Sequence, residues 1–154
     1  MRPMHSWTAL PLRLIVGVGF LQHGWAKLER GPEHFAAILA ALHMPFAALL
    51  AWATILVEIL GGLAVLAGLL IPLAAIPMVV VLLVAIVTVH APNGFSSIKL
   101  LSVDGAGAHF GQPGYETDLL YLAAIAALLL LGPGPWAFDK RRGAQAAARS
   151  RSVS

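Results

Sequence analysis

The apolar positions of this chain fall into four long runs separated by polar or glycine-rich breaks. The first, about Trp7 to Lys27, follows Ser6 as an N-cap and is the most polar, with Arg13, Gln22 and His23 inside it. The second extends from about Phe46 to Leu70 and the third from about Leu73 to His90, with a Gly68-Leu69-Leu70-Ile71-Pro72 corner between them. Pro77 falls in the first turns of the third run, where a proline is tolerated. The fourth begins near Tyr115 and stops near Leu131 at Gly132-Pro133-Gly134-Pro135, after which Trp136 and Phe138 mark an interface. About 20 apolar residues cross about 30 Å of hydrocarbon, so each run predicts a membrane span. Gly31 to Pro45 places Phe35, Ile38, Leu39 and Leu42 at helical spacing but is too short to span. Ala91 to Gly114 reads as an irregular polar loop. The expected fold is all-α: a membrane four-helix bundle with a short interfacial helix between spans one and two.

Composition agrees. Of 154 residues 59% are hydrophobic and 11% charged, with mean hydropathy +0.84, so the first partner is the lipid bilayer. The length leaves room for a single transmembrane domain over residues 1–139. A basic tail over 140–154 has no apolar face to bury and is expected to be disordered. Cysteine is absent, which excludes disulfides, thiolate metal sites, iron–sulfur clusters and a CxxC redox pair within the chain. The net charge of +3 does not argue for nucleic acid, because five of the ten Lys and Arg residues follow Phe138. Together with Arg2 and Arg13 they are a topology signal, predicting a multi-pass protein with both termini in the cytoplasm. A cleaved signal peptide competes, since Arg2 precedes an apolar core and Gly24-Trp25-Ala26 offers small residues. Its removal would strip off the most patterned helix. The four-span topology sends His23, His34, His43, His90 and His109 to the outward end.

Between Phe46 and Val89 the only ionisable side chain is Glu58. A charge so placed is costly unless partnered or protonated, which marks it for a role. On span one, Arg13, Gly17, Phe20, Gly24 and Lys27 share one sector, with His23 at its edge and Gln22 opposite. Glu58 shares a face with Thr54, Gly61 and Gly62, so both faces should point inward. Arg13 and His23 are each offset from Glu58 by roughly 8 to 9 Å along the membrane normal, within reach of either. One reading is a buried structural Arg13–Glu58 ion pair; the other is a proton-accepting carboxylate beside a polar ligand. At the outer rim His90 ends span three, and Tyr115, Glu116 and Asp118 open span four. First-turn acids are ordinary helix-dipole partners, yet His23, Lys27 and Glu116 can converge on His90. No metal site is expected from the scattered histidines, and no haem from His23 and His90. No nucleotide-binding glycine loop, nucleophile elbow or HExxH pattern occurs.

The string RLIVGVGFLQHGWAKL over 13–28, then Glu58-Ile59-Leu60-Gly61-Gly62 with Gly68, His90 through Gly94-Phe95, Gly114-Tyr115-Glu116, and Gly132-Pro133-Gly134 with Phe138-Asp139, resembles the DoxX family over residues 12–139. The resemblance implies a bacterial inner-membrane four-helix protein associated with quinone or sulfur redox chemistry, because relatives include a subunit of a thiosulfate:quinone oxidoreductase. Arg13, Lys27, Glu58, His90, Tyr115 and Glu116 are the matched motif positions. The leading expectation is a redox-linked membrane protein or subunit that binds a quinone or similar small aromatic near the outer leaflet. Glu58 and Glu116 would carry protons as the catalytic pair, and Arg13, His23, Lys27, His90 and Tyr115 would contact the ligand. Electrons would come from a soluble or membrane redox partner. A non-catalytic module that binds a small molecule or metal, or anchors a soluble oxidoreductase, is the alternative. A proton-coupled transporter is a third, requiring the Glu58 site to open to both sides. The small-residue strip Gly61, Ala64 and Gly68 suits internal packing or a homo-oligomer.

Overall fold

The computed structural model describes residues 7–139. Arg2, Ser6 and the basic tail, on which the topology, first N-cap and disordered-tail expectations rest, lie outside them. Chain reversals occur where the sequence supplies glycine or proline, and they bound five helices among the described residues: α1 (Ala9–Glu29), α2 (Pro32–Ala41), α3 (Ala47–Ala67), α4 (Ile71–Ala85) and α5 (Glu116–Leu131). The end of α3 shows why. Gly68 caps it with φ +66°, and a Cβ there would lie 2.7 Å from the Ala137 Cβ and 2.9 Å from the Arg13 guanidinium carbon. Only glycine meets both the left-handed backbone and the crowding.

The four long helices close a ring in which α1 packs on α3, α3 on α4, α4 on α5 and α5 on α1, while α2 lies along α3. Each long helix therefore neighbours the next in sequence and runs antiparallel to it. Val16, Phe20, Val65, Met78, Leu82, Ile125 and Leu128 fill the centre. The α1–α3 seam is tight: a Cβ on Gly24 would stand 2.8 Å from Ile59 and 3.0 Å from the Glu58 Cβ. Outside, the ring presents an apolar band. Leu60, Ile76, Leu120 and Leu130 are 61%, 65%, 65% and 88% exposed, a surface that belongs in lipid. Among the described residues, α3 and the continuous helical segment Ile71–Asn93 are long and apolar enough to cross a bilayer. Trp7 and Trp136 stack edge to face at 5.1 Å at the end that carries the N-terminus of α1.

Two features depart from the expected loops. The third span does not end as a plain α-helix: a π-helical turn, Ile86–His90, and a 3₁₀ turn, Ala91–Asn93, follow α4. Buried positions on α4 step from Ile71 to Ala75, Met78 and Leu82. Continued in α phase, that stripe would turn Val89 inward. The wider π turn inserts one residue, a rotation of roughly 100°, so Val89 is 41% exposed and His90 takes the inner position. The stretch expected to be irregular between Ala91 and Gly114 also contains an antiparallel hairpin of β1 (Leu100–Asp104) and β2 (Gly107–Phe110). Its base is a knot. Tyr115 and Glu116 N–H groups donate to the Gly94 and Phe95 carbonyls, and Gly114 N–H to Ser96 O. The Gly114 backbone packs onto Gly94 too closely for any side chain.

Candidate functional site

Arg13 is buried, but it does not meet Glu58. Its Nε donates to Val65 O at 3.0 Å, Nη2 to Leu66 O at 2.5 Å, and Nη1 to Pro133 O and Pro135 O at 3.0 and 3.1 Å. Those carbonyls close the end of α3 and the turn after α5, so the guanidinium acts as a cap that sews three chain segments together. The Arg13–Glu58 pair, one of the two readings of the sequence, does not form; Lys27 Nζ instead donates to both Glu58 carboxylate oxygens at 2.7 Å. Side-chain direction explains the exchange. Helical side chains lean toward their own N-terminus, so on antiparallel α1 and α3 those of Lys27 and Glu58 lean toward each other, while Arg13 leans away. Glu58 is 5% exposed, and Gly24 on α1 provides the close approach that shields it.

α2 completes this corner. Phe35 sets its ring 5.1 Å from Lys27 Nζ, a cation–π contact. Between α1 and α2 lies a recess of about 250 Å³ lined by His23, Ala26, Lys27, Arg30, Gly31, His34, Phe35 and Ile38. Both helices contribute N–H donors and apolar side chains to the lining, and Glu58 is paired with Lys27. His23 is exposed at the mouth and lies within electrostatic reach of Lys27, Asp118 and His90. Its ring also meets Tyr121 edge to face at 6.3 Å. Across the bundle, His90 Nδ1 and Asp118 Oδ2 are 2.5 Å apart, with Asp118 buried. The polar groups form a line through all four long helices: Glu58, Lys27, His23, then Asp118 and His90.

Of the residues singled out from sequence, Glu58, Lys27, His23 and His90 lie on this line. Arg13 sits at the opposite end of the bundle. Glu116 and Tyr115 belong to the hairpin base, where Glu116 Oε2 accepts the Ser97 N–H at 3.0 Å and the Tyr115 ring packs on Phe95 at 5.6 Å. Both motif segments, Gly94-Phe95 and Gly114-Tyr115-Glu116, therefore meet in one clamp that fixes the start of α5 beneath the end of the π turn. Asp118, in the first turn of α5, is more than an ordinary dipole partner. Its helical phase carried the signal, since it shares the buried stripe of α5 with Ile125 and Leu128, seven and ten residues on. Among the described residues no group of three or more His, Cys, Asp or Glu is arranged to hold a metal ion.

No solved structure matches the chain. The chain is similar to the uncharacterized membrane protein Rv3486 of Mycobacterium tuberculosis (strain ATCC 25618 / H37Rv), at 35% identity over 147 residues, covering 89% of this chain and 82% of the relative. The DoxX family model matches residues 8–91, from α1 through the π turn, and so takes in Arg13, Lys27, Glu58 and His90. With more than half its length matched, and with its apolar outer band, this chain is a membrane protein of the DoxX family.

Proposed function

We propose that the chain crosses the bacterial inner membrane four times with both termini in the cytoplasm. In this reading it binds a quinone or similar small aromatic with its polar head in the α1–α2 recess, at the outward end, and works beside a redox partner. The observation that carries the reading is the recess itself, where the donors Lys27, His23, Arg30 and His34 share the lining with Phe35 and Ile38 and a buried carboxylate backs Lys27. N–H donors around an apolar slot suit a ring that bears carbonyl oxygens. At about 250 Å³ the space is smaller than the roughly 300–1,000 Å³ that encloses a whole drug-sized ligand, so it fits a ring whose tail remains in lipid. Reducing a quinone to a quinol takes two electrons and two protons. The partner supplies the electrons. Lys27, once turned from Glu58 to a ligand carbonyl, leaves Glu58 free to exchange one proton, and the His90–Asp118 pair, reached through His23, handles the second. Glu116 has no part in this scheme, because its carboxylate is committed to Ser97.

Purified protein in nanodiscs, titrated with decylubiquinone and a short-chain menaquinone analogue, tests the reading. Saturable quenching of tryptophan fluorescence that is lost in Lys27→Met is the expected result. Binding that is absent, or unchanged in Lys27→Met and His23→Ala, overturns it. A specific observation favours the non-catalytic module as second reading: one Lys27 ammonium satisfies both Glu58 oxygens, a closed pair suited to structure alone. Under that reading the neutral double variant Lys27→Met/Glu58→Gln keeps every function of the protein.

A further inference from the structure

Every residue of both hairpin strands is exposed. Cross-strand partners share a face, so the register Leu100↔Phe110 and Val103↔Ala108 gathers one apolar face, while Ser102↔His109 and Asp104↔Gly107 make the other polar. The irregularity at Leu101 creates this division. In an unbroken strand Leu100, Ser102 and Asp104 would lie on one side; the bulged residue moves Leu100 across to join Val103. The polar face is pinned by His109 Nε2 and Asp104 Oδ2 at 2.8 Å.

Leu100, Val103 and Phe110 are 58%, 68% and 60% exposed, and Ile98 beside them 76%. A lone two-stranded hairpin is marginal in water, so a sorted apolar face without a cover calls for an occupant. The hairpin is strung between the end of the π turn and the start of α5, and the adjoining outward side chains Val87 and Leu120, 73% and 65% exposed, belong to the apolar band. The hydrogen bonds from Gly114, Tyr115 and Glu116 N–H to the Ser96, Gly94 and Phe95 carbonyls hold the base of the hairpin at the end of that band. The polar face carries no lysine or arginine, and the neighbouring Lys99 ammonium is turned onto the Asn93 carbonyl, so lipid charge is not the attraction.

We propose that this hairpin lies flat in the interfacial layer of the bilayer, with Leu100, Val103 and Phe110 toward the acyl chains and Ser102, Asp104 and His109 toward water. It is a membrane-seated platform at the end of the bundle that holds the polar line, and it is separate from the recess.

Because the chain has no cysteine, single nitroxide labels report unambiguously. Val103→Cys, Phe110→Cys, Ser102→Cys and His109→Cys, each labelled in full-length protein in phosphatidylcholine vesicles, are compared by collision with dissolved oxygen and with a water-soluble nickel chelate. Labels at 103 and 110 should collide preferentially with oxygen, and those at 102 and 109 with nickel. Equal nickel access at all four positions would place the hairpin in water and overturn the proposal. Labels at 103 and 110 that are immobile and reached by neither reagent would mean a protein cover, a second copy or a partner, and would overturn it equally. Far-UV circular dichroism of each labelled variant checks the fold, and quinone binding is not among the readouts.

Discussion

Replacing Lys27 with Met tests whether the ion pair across α1 and α3 has been assigned to the right cation. At 2.7 Å and an effective dielectric of about 20, the attraction between Lys27 and Glu58 is roughly 6 kcal/mol before desolvation is subtracted. The two side chains are 23% and 7% exposed, so water screens the lysine end but not the carboxylate. Lys27→Met strands a buried carboxylate and should cost about 3–5 kcal/mol of stability. Glu58→Gln is milder, about 1–2 kcal/mol, because the lysine can extend toward the recess. The double variant, two neutral groups of similar shape, should lose only about 1–2 kcal/mol. The cycle therefore closes with a coupling of about 4 kcal/mol. Reversible unfolding in bicelles, followed by circular dichroism, gives all four free energies. The same cycle with Arg13→Met and Glu58→Gln should be additive within about 0.5 kcal/mol, since the two residues share no partner. Additivity at Lys27–Glu58, or a stronger coupling between Arg13 and Glu58, would refute the assignment.

Arg13→Met should cost about 3 kcal/mol or more by leaving the Leu66, Pro133 and Pro135 carbonyls without their donor, and Arg13→Lys should restore only part of it, as read by the same unfolding measurement. Gly24→Ala places a methyl 2.8 Å from Ile59 and should cost about 1–3 kcal/mol; a neutral result in that assay would mean the helices can part freely. The Asp104 carboxyl is held below its ordinary range by the Ala106 N–H and then by His109. Its contribution to hairpin order is complete above the unfolded-state value and is lost as pH falls through the lower folded one. Amide exchange at Ala106 should accordingly stay slow at neutral pH, quicken only below the usual carboxylate range, and be fast at every pH in Asp104→Ala.

Helix boundaries were legible because glycine and proline act locally: the Gly68–Pro72 corner and the Gly132–Pro135 stop appear where the chain turns. The inward face of α1 was legible for the same reason, since Arg13, Gly17, Phe20 and Gly24 share a phase and all are buried. Partner choice was not. Axial offsets treat a side chain as a point, whereas the lean of helical side chains favours Lys27 over Arg13 by its direction. The hairpin was not legible because the bulge leaves only the short run Leu101-Ser102-Val103-Asp104 in alternation and sets Leu100 out of phase with it. His90 could be named from its position, but its aim at Asp118 depends on a π turn that no local composition announces.

The Arg13 cap also bears on how the protein is made. Of its four carbonyl acceptors, those of Val65 and Leu66 are synthesised some fifty residues after it, and those of Pro133 and Pro135 lie 120 and 122 residues downstream. The guanidinium on α1 is thus fully satisfied only once the turn after α5 has been made. Until the final turn arrives the nascent bundle stays latched at one side only, and a polypeptide truncated before Pro133 can insert but cannot lock.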